Sequence, residues 1–197
     1  MTEISSANSY FGCLSETIEN LPFATMNQIA ETLLRAYDRG RMIYLFGNGG
    51  SAALASHFAC DLGKGTANGT SKRFRVLALT DNVPLMTAWS NDSRYEDIFA
   101  EQLSNFVQRD DIAFAISGSG NSPNVLRALK LARVAGAITV GLTGYQGGKM
   151  KELCDQCMIV PSDNMQIIED LHLCVAHAVF TTVRRRIFQH SEAAAAH

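Results

Sequence analysis

The chain has 197 residues, 17 Lys and Arg against 19 Asp and Glu, a formal net charge of −2 and 47% apolar residues. That balance predicts one ordinary globular domain with a full core and argues against a nucleic-acid partner, which a basic surface would have suggested. No run approaches the roughly 18 apolar residues of a membrane span, and residues 1–10 are too polar for a signal peptide, so a cytoplasmic location and no membrane partner are expected.

Apolar residues recur at helical spacing through the first forty positions. Tyr10, Phe11, Leu14, Ile18 and Leu21 form one stripe; Met26, Ile29, Ala30, Leu33, Leu34 and Tyr37 form the next, which ends at Gly40. Apolar runs then predict strands at 42–46, 75–79, 112–116, 138–142 and 156–160. Between and after them, helices are expected at 51–63, 83–90, 95–107, 122–135 and about 165–188. Continuously apolar strands, rather than alternating ones, indicate a parallel sheet covered on both faces. The expected fold is a three-layer α/β sandwich with a five-stranded parallel sheet. It forms one domain, with a helical extension (1–40), an α/β core (41–190) and a tail (191–197). Residues 64–72 read as a polar loop inside that domain.

The five cysteines are odd in number and scattered, which reads as reduced thiols packed as small hydrophobes. Cys154 and Cys157 have CxxC spacing, but neither a second pair for zinc nor a thioredoxin-like setting accompanies them.

Two glycine-rich turns carry the chemistry. Gly47-Asn48-Gly49-Gly50-Ser51-Ala52 joins the first strand to a helix, and Ser117-Gly118-Ser119-Gly120-Asn121-Ser122 does the same after the third. Such turns aim backbone N–H groups and a helix N-terminus at one point, which suits a phosphate. Three serines around Gly120 add hydroxyl donors, and neither turn has a Walker lysine. Gly47, Gly49 and Ala52 also fit the dinucleotide fingerprint, although its acidic ribose binder is represented only by a late Asp81.

These segments, in register with Ala78-Leu79-Thr80-Asp81-Asn82, Asn91-Asp92, Gly141-Leu142-Thr143-Gly144 and Val160-Pro161-Ser162, resemble the SIS (sugar isomerase) domain of the phosphoheptose isomerases over residues 10–188. The resemblance implies a flavodoxin-like fold and aldose–ketose isomerisation of sedoheptulose 7-phosphate to D-glycero-D-manno-heptose 7-phosphate. It also implies a homotetramer with active sites between subunits, and a product that leads toward surface polysaccharide. Carried over residue by residue, it gives zinc ligands at His57, Asp61, Glu169 and His177, with Asp61 and His177 as the proton-transfer pair. The spacing agrees with that set: His57 and Asp61 stand i,i+4 on one helix, Glu169 and His177 stand two turns apart on the last, so each pair shares a face, and two histidines with two carboxylates suit zinc or a similar divalent ion. The expected substrate contacts are Asn48, Gly49, Gly50, Ser51, Asn91, Asp92, Ser117, Gly118, Ser119, Ser122 and Glu169. The chain departs from the family pattern in having Asp61 for Glu, Glu169 for Gln and Asn164 for a loop Asp. His172 matches a family histidine without an assigned role. These departures leave alternatives: an isomerase or epimerase of another phosphosugar, a non-catalytic sugar-phosphate sensor or partner-binding protein, or a nucleotide-binding oxidoreductase.

Overall fold

The structure is a computed structural model and describes residues 4–67, 69 and 72–195. Helices α1 (Ala7–Glu19) and α2 (Phe23–Arg39) precede β1 (Met42–Gly47), α3 (Gly50–Gly65), β2 (Arg75–Ala78) and α4 (Val83–Asp92). A 3-10 turn (Tyr95–Asp97), α5 (Ala100–Ser104), β3 (Ile112–Ile116) and α6 (Pro123–Val134) follow. The chain ends with β4 (Ile138–Thr143), a second 3-10 turn (Gly148–Glu152), β5 (Gln156–Ile159) and α7 (Met165–Ala195).

All five strands are parallel, in the order β2-β1-β3-β4-β5. In this order the winding reverses between β1 and β3, and the loops leaving those two strands open the crevice where such sheets bind ligands. Alternate residues of the inner strands feed two cores. Ile43, Leu45, Ile112 and Phe114 pack with α2, α3 and α7 on one face. Tyr44, Phe46, Ala113 and Ala115 pack with α5 and α6 on the other. β2 departs from the expected continuous burial: Arg75 and Leu77 are exposed because the strand pairs only with β1 at the sheet edge.

Three further expectations change. The helix expected at 95–107 is a tight turn followed by the short α5, and Asp97 explains the break. Its buried carboxylate accepts hydrogen bonds from Ser93 Oγ (2.5 Å) and Arg94 Nε (3.2 Å), and pairs with Arg127 Nε of α6 at 2.8 Å. The Ser93 hydrogen bond first, then the two arginines, hold this carboxyl below the usual carboxylate range. The first stripe is only partly covered: Phe11 is 64% and Ile18 40% exposed, Tyr10 and Leu14 pack partly against the core, and Leu21, past the end of α1, is buried in it. Finally, α7 runs through 191–195 of the expected tail, while 196–197 lie outside the described residues. Of the expected loop 64–72, α3 takes 64–65, and 68, 70 and 71 lie outside the described residues. Cys60, Cys154, Cys157 and Cys174 are free thiols; Cys154 and Cys157 both pack over Gly141.

Candidate active site

The two glycine-rich loops meet at the switch point of the sheet. A Cβ on Gly47 would stand 2.6 Å from the Ile116 carbonyl oxygen and 2.8 Å from Ser51 Cβ. Only glycine therefore lets the end of β1 lie against β3 while starting α3. Ser51 is buried in the first turn of that helix. In the second loop Ser117 Oγ lies 3.2 Å from Ser122 Oγ, and Ser119 Oγ accepts the Asn121 N–H at 3.2 Å. Gly118 is roofed by Met165, whose sulfur would be 2.5 Å from a Cβ there.

An amide pair locks the loops together. Asn48 Nδ2 donates to Asn124 Oδ1 (2.9 Å), Asn124 Nδ2 donates back to Asn48 Oδ1 (2.8 Å), and the Tyr95 hydroxyl adds a third bond to Asn48 Oδ1 (3.0 Å). Asn48, expected to position the sugar, thus has its side-chain amide engaged in the scaffold. Asn124 carried no signal beyond its place beside the serines.

Parallel packing of α3 and α7 builds the second half of the site. Glu169 stands by Gly50, His177 by His57, and Phe180 fills the space left by Gly65. His57 Nε2 and His177 Nε2 approach to 2.9 Å; Asp61 Oδ2 lies 3.4 Å from the first and 3.8 Å from the second. The side chains of both histidines are about half exposed (50% and 48%). Asp61 Oδ2 is buried and, among the described residues, has no hydrogen-bond partner. Tetrahedral ligands of one zinc ion stand about 3.4 Å apart. The three separations bracket that value, and the stranded carboxylate oxygen is what a cation would satisfy, so the donor set fits a divalent ion.

Glu169 stands apart from this group. The three donor atoms of His57, Asp61 and His177 lie within 4.8 Å of one another, and Glu169 is not among them. Its carboxylate oxygens are instead 3.5 Å from the Cβ position of Gly50, over the start of α3. Two helical turns preserve a face but climb about 12 Å, and that rise separates Glu169 from His177. A helix N-terminus favours a carboxylate there.

Between these stations lies a pocket of about 390 Å³ whose walls include Gly50, Ser51, His57, Glu169, His172 and His177. His172 is buried within the protomer, and burial lowers its pKa from 6.5 to about 4. Asp170 also lines the pocket and accepts from the Tyr10 hydroxyl at 2.6 Å. Burial first, then Asp170, pushes the Tyr10 phenol up to about 12. Asn91 and Asp92 are exposed at the end of α4, where the Asn91 side-chain amide donates to Asp92 Oδ1 (2.8 Å). Asn164 caps α7, accepting from Gln166 N (3.0 Å) and Ile167 N (3.2 Å).

A parallel sheet with paired anion loops at its switch point, and a histidine–carboxylate cluster beside them, is the layout of a phosphosugar-handling SIS domain, and the SIS domain family matches residues 9–144. The phosphoheptose isomerase of Bradyrhizobium sp. (strain BTAi1) is 37% identical over 84% of this chain and 83% of its own length. That of Aliarcobacter butzleri is 39% identical over 84% and 87%. The solved phosphoheptose isomerase of Francisella tularensis superposes with a TM-score of 0.83 at 30% identity, covering 94% of this chain and all of that one. The chain belongs to the phosphoheptose isomerase family.

Proposed function

We propose that this protein interconverts sedoheptulose 7-phosphate and D-glycero-D-manno-heptose 7-phosphate. The convergence of Asp61, His57 and His177 beside two saturated anion loops carries this reading. Ser51, Ser117, Ser119 and Ser122, with the N–H groups around Gly49, Gly50 and Gly118, bind the phosphate. The carbonyl end of the sugar then lies toward the α3–α7 cluster. Isomerisation moves a proton between C1 and C2 through an enediol. Asp61 takes the carbon-bound proton and returns it to the neighbouring carbon, while His177 moves the hydroxyl proton. His57, Asp61 and His177 would hold a zinc-like ion, which when bound supplies charge to polarise the carbonyl. Glu169, over the start of α3, serves the substrate end of the pocket.

A homotetramer with sites between subunits fits the apolar residues left uncovered on the N-terminal helices, Phe11 (64% exposed) and Phe23 (51%). No described helix is long and apolar enough to cross a membrane. The reading places the enzyme in the cytoplasm, ahead of polysaccharide assembly. Its test is turnover of sedoheptulose 7-phosphate by the wild type against Asp61→Ala and His177→Ala. Both variants should lose activity by at least about a hundredfold, the low end for general acid–base groups. Full activity in both would end the proposal.

A further inference from the structure

Cys154 and Cys157 lie outside the proposed isomerase site, yet the fold brings their thiols together. Gly141 of β4 is the register partner of Cys157 in β5. A Cβ on Gly141 would stand 2.8 Å from Cys154 Sγ and 3.6 Å from Cys157 Sγ, so both sulfurs share the space that glycine leaves. The Cys154 thiol donates a hydrogen bond to the Cys157 sulfur, which pushes the first thiol up and holds the second below its ordinary value. Burial adds to the first shift and opposes the second, and the Lys151 ammonium reinforces the second. Lys151 lies along that side of β5: its Cβ and Ile159 Cδ1 meet at the Cβ position of Gly147, at 2.9 and 3.0 Å. Ile159 is two residues beyond Cys157 and so points to the same face. Cys157 is half-buried and opens on a crevice of about 860 Å³ shared with Tyr145, Ile159 and Pro161. A reachable sulfur favoured as thiolate, with a protonated thiol against it, is what thiol–disulfide exchange requires.

We propose that Cys154 and Cys157 form a reversible disulfide, closed by a low-molecular-weight disulfide such as glutathione disulfide, and that closing it loosens the phosphate seat. The Cys157 thiolate attacks one sulfur of the oxidant and releases the first glutathione as its thiolate. Cys154 then loses its proton and attacks the Cys157 sulfur, releasing the second. The cysteine pair is oxidised by two electrons, the oxidant is reduced to two thiols, and the two cysteine protons end on them. An S–S bond is about 2.05 Å long, shorter than a hydrogen-bonded approach of two sulfurs, so closure draws Cys154 toward β5. The 3-10 turn before it follows, because Cys154 N–H donates to the Met150 carbonyl at 3.1 Å. That turn is keyed into the serine loop. Met150 N–H donates to the Gly120 carbonyl (3.0 Å), and Lys149 N–H donates to Asn121 Oδ1 (3.1 Å). A Cβ on Gly148 would lie 2.5 Å from the Ser119 carbonyl oxygen. The acid–base cluster sits on α3 and α7, outside these contacts, so KM rises on closure while kcat holds. This kinetic consequence rests on the isomerase reading; the disulfide itself does not.

The test equilibrates the full chain in glutathione buffers, from fully reduced to glutathione disulfide alone, then alkylates it and maps the cysteines by mass. Cys154 and Cys157 should lose alkylation together, and the peptide that carries both should be lighter by two hydrogens. That change should vanish in Cys154→Ser and in Cys157→Ser and persist in Cys174→Ser. On the same samples KM for sedoheptulose 7-phosphate should rise at least about threefold on oxidation, with kcat within about twofold. Dithiothreitol should restore it, and Cys154→Ser should show no rise. Alkylation of both cysteines after the oxidising buffer, or mixed disulfides with glutathione in place of the internal bond, overturns the proposal. So does an internal bond that leaves KM unchanged. A reduced wild type without turnover sinks the isomerase reading alone; the seat is then read by its affinity for inorganic phosphate, which closure should lower.

Discussion

The two halves of the site are held in opposite ways. Around the loops after β1 and β3, polar side chains satisfy one another: Asn48 and Asn124 exchange amides, Tyr95 joins them, and the Ser117 and Ser122 hydroxyls meet. Between α3 and α7 the polar atoms are left open. Among the described residues Asp61 Oδ2 has no hydrogen-bond partner, and the ring nitrogens of His57 and His177 meet at 2.9 Å beside it. Saturated groups make a rigid cradle, whereas unsatisfied groups are destabilising unless something binds them. In the proposed reading the loops are the scaffold and phosphate seat, and the helix pair is where cation and carbonyl are met.

That contrast makes graded predictions. The largest effect belongs to the open side: His57→Ala should abolish stoichiometric zinc binding, measured by equilibrium dialysis, and lower kcat by about a thousandfold. Retention of one zinc per chain would break the distinction. Next comes pH. His172 has a folded pKa near 4, below its unfolded value of 6.5. As pH falls through that window the unfolded chain takes up the proton first, so stability present above about pH 6.5 is lost progressively down to pH 4. The loss amounts to about 3 kcal/mol at its full extent, and denaturant titrations should find it missing in His172→Gln. On the saturated side, Asn48→Ala strands the buried Asn124 amide and should cost about 2 kcal/mol of stability. The smallest effect is Ser119→Ala, expected to raise KM about fivefold with kcat nearly intact, since one hydroxyl among several phosphate donors is lost.

Much of this was legible in the residues. An i,i+4 pair such as His57 and Asp61 fixes its own geometry, because the helix alone sets it. The five strand cores followed from uninterrupted apolar runs, and Gly40 marked the end of α2. What escaped were features set by distant contacts. The i,i+8 spacing of Glu169 and His177 gave a common face but said nothing of which residue of α3 each would oppose. The amide exchange between Asn48 and Asn124 was hidden because the two lie 76 positions apart. Asp97 broke an apparently helical stretch through Arg127 on another helix. Phe11 fitted the stripe yet stays 64% exposed, while Tyr10 and Leu14 of the same stripe pack partly against the core. His172 carried no role in the sequence because its burial is visible only once α7 is packed against β4.

The isomerase reading meets its most direct test in an NMR time course of sedoheptulose 7-phosphate with the full chain, run with and without a chelator. The account predicts growth of aldose C1 signals at the expense of the ketose, slowed by the chelator and restored by zinc. A ketose spectrum that stays unchanged with zinc-loaded protein would contradict it.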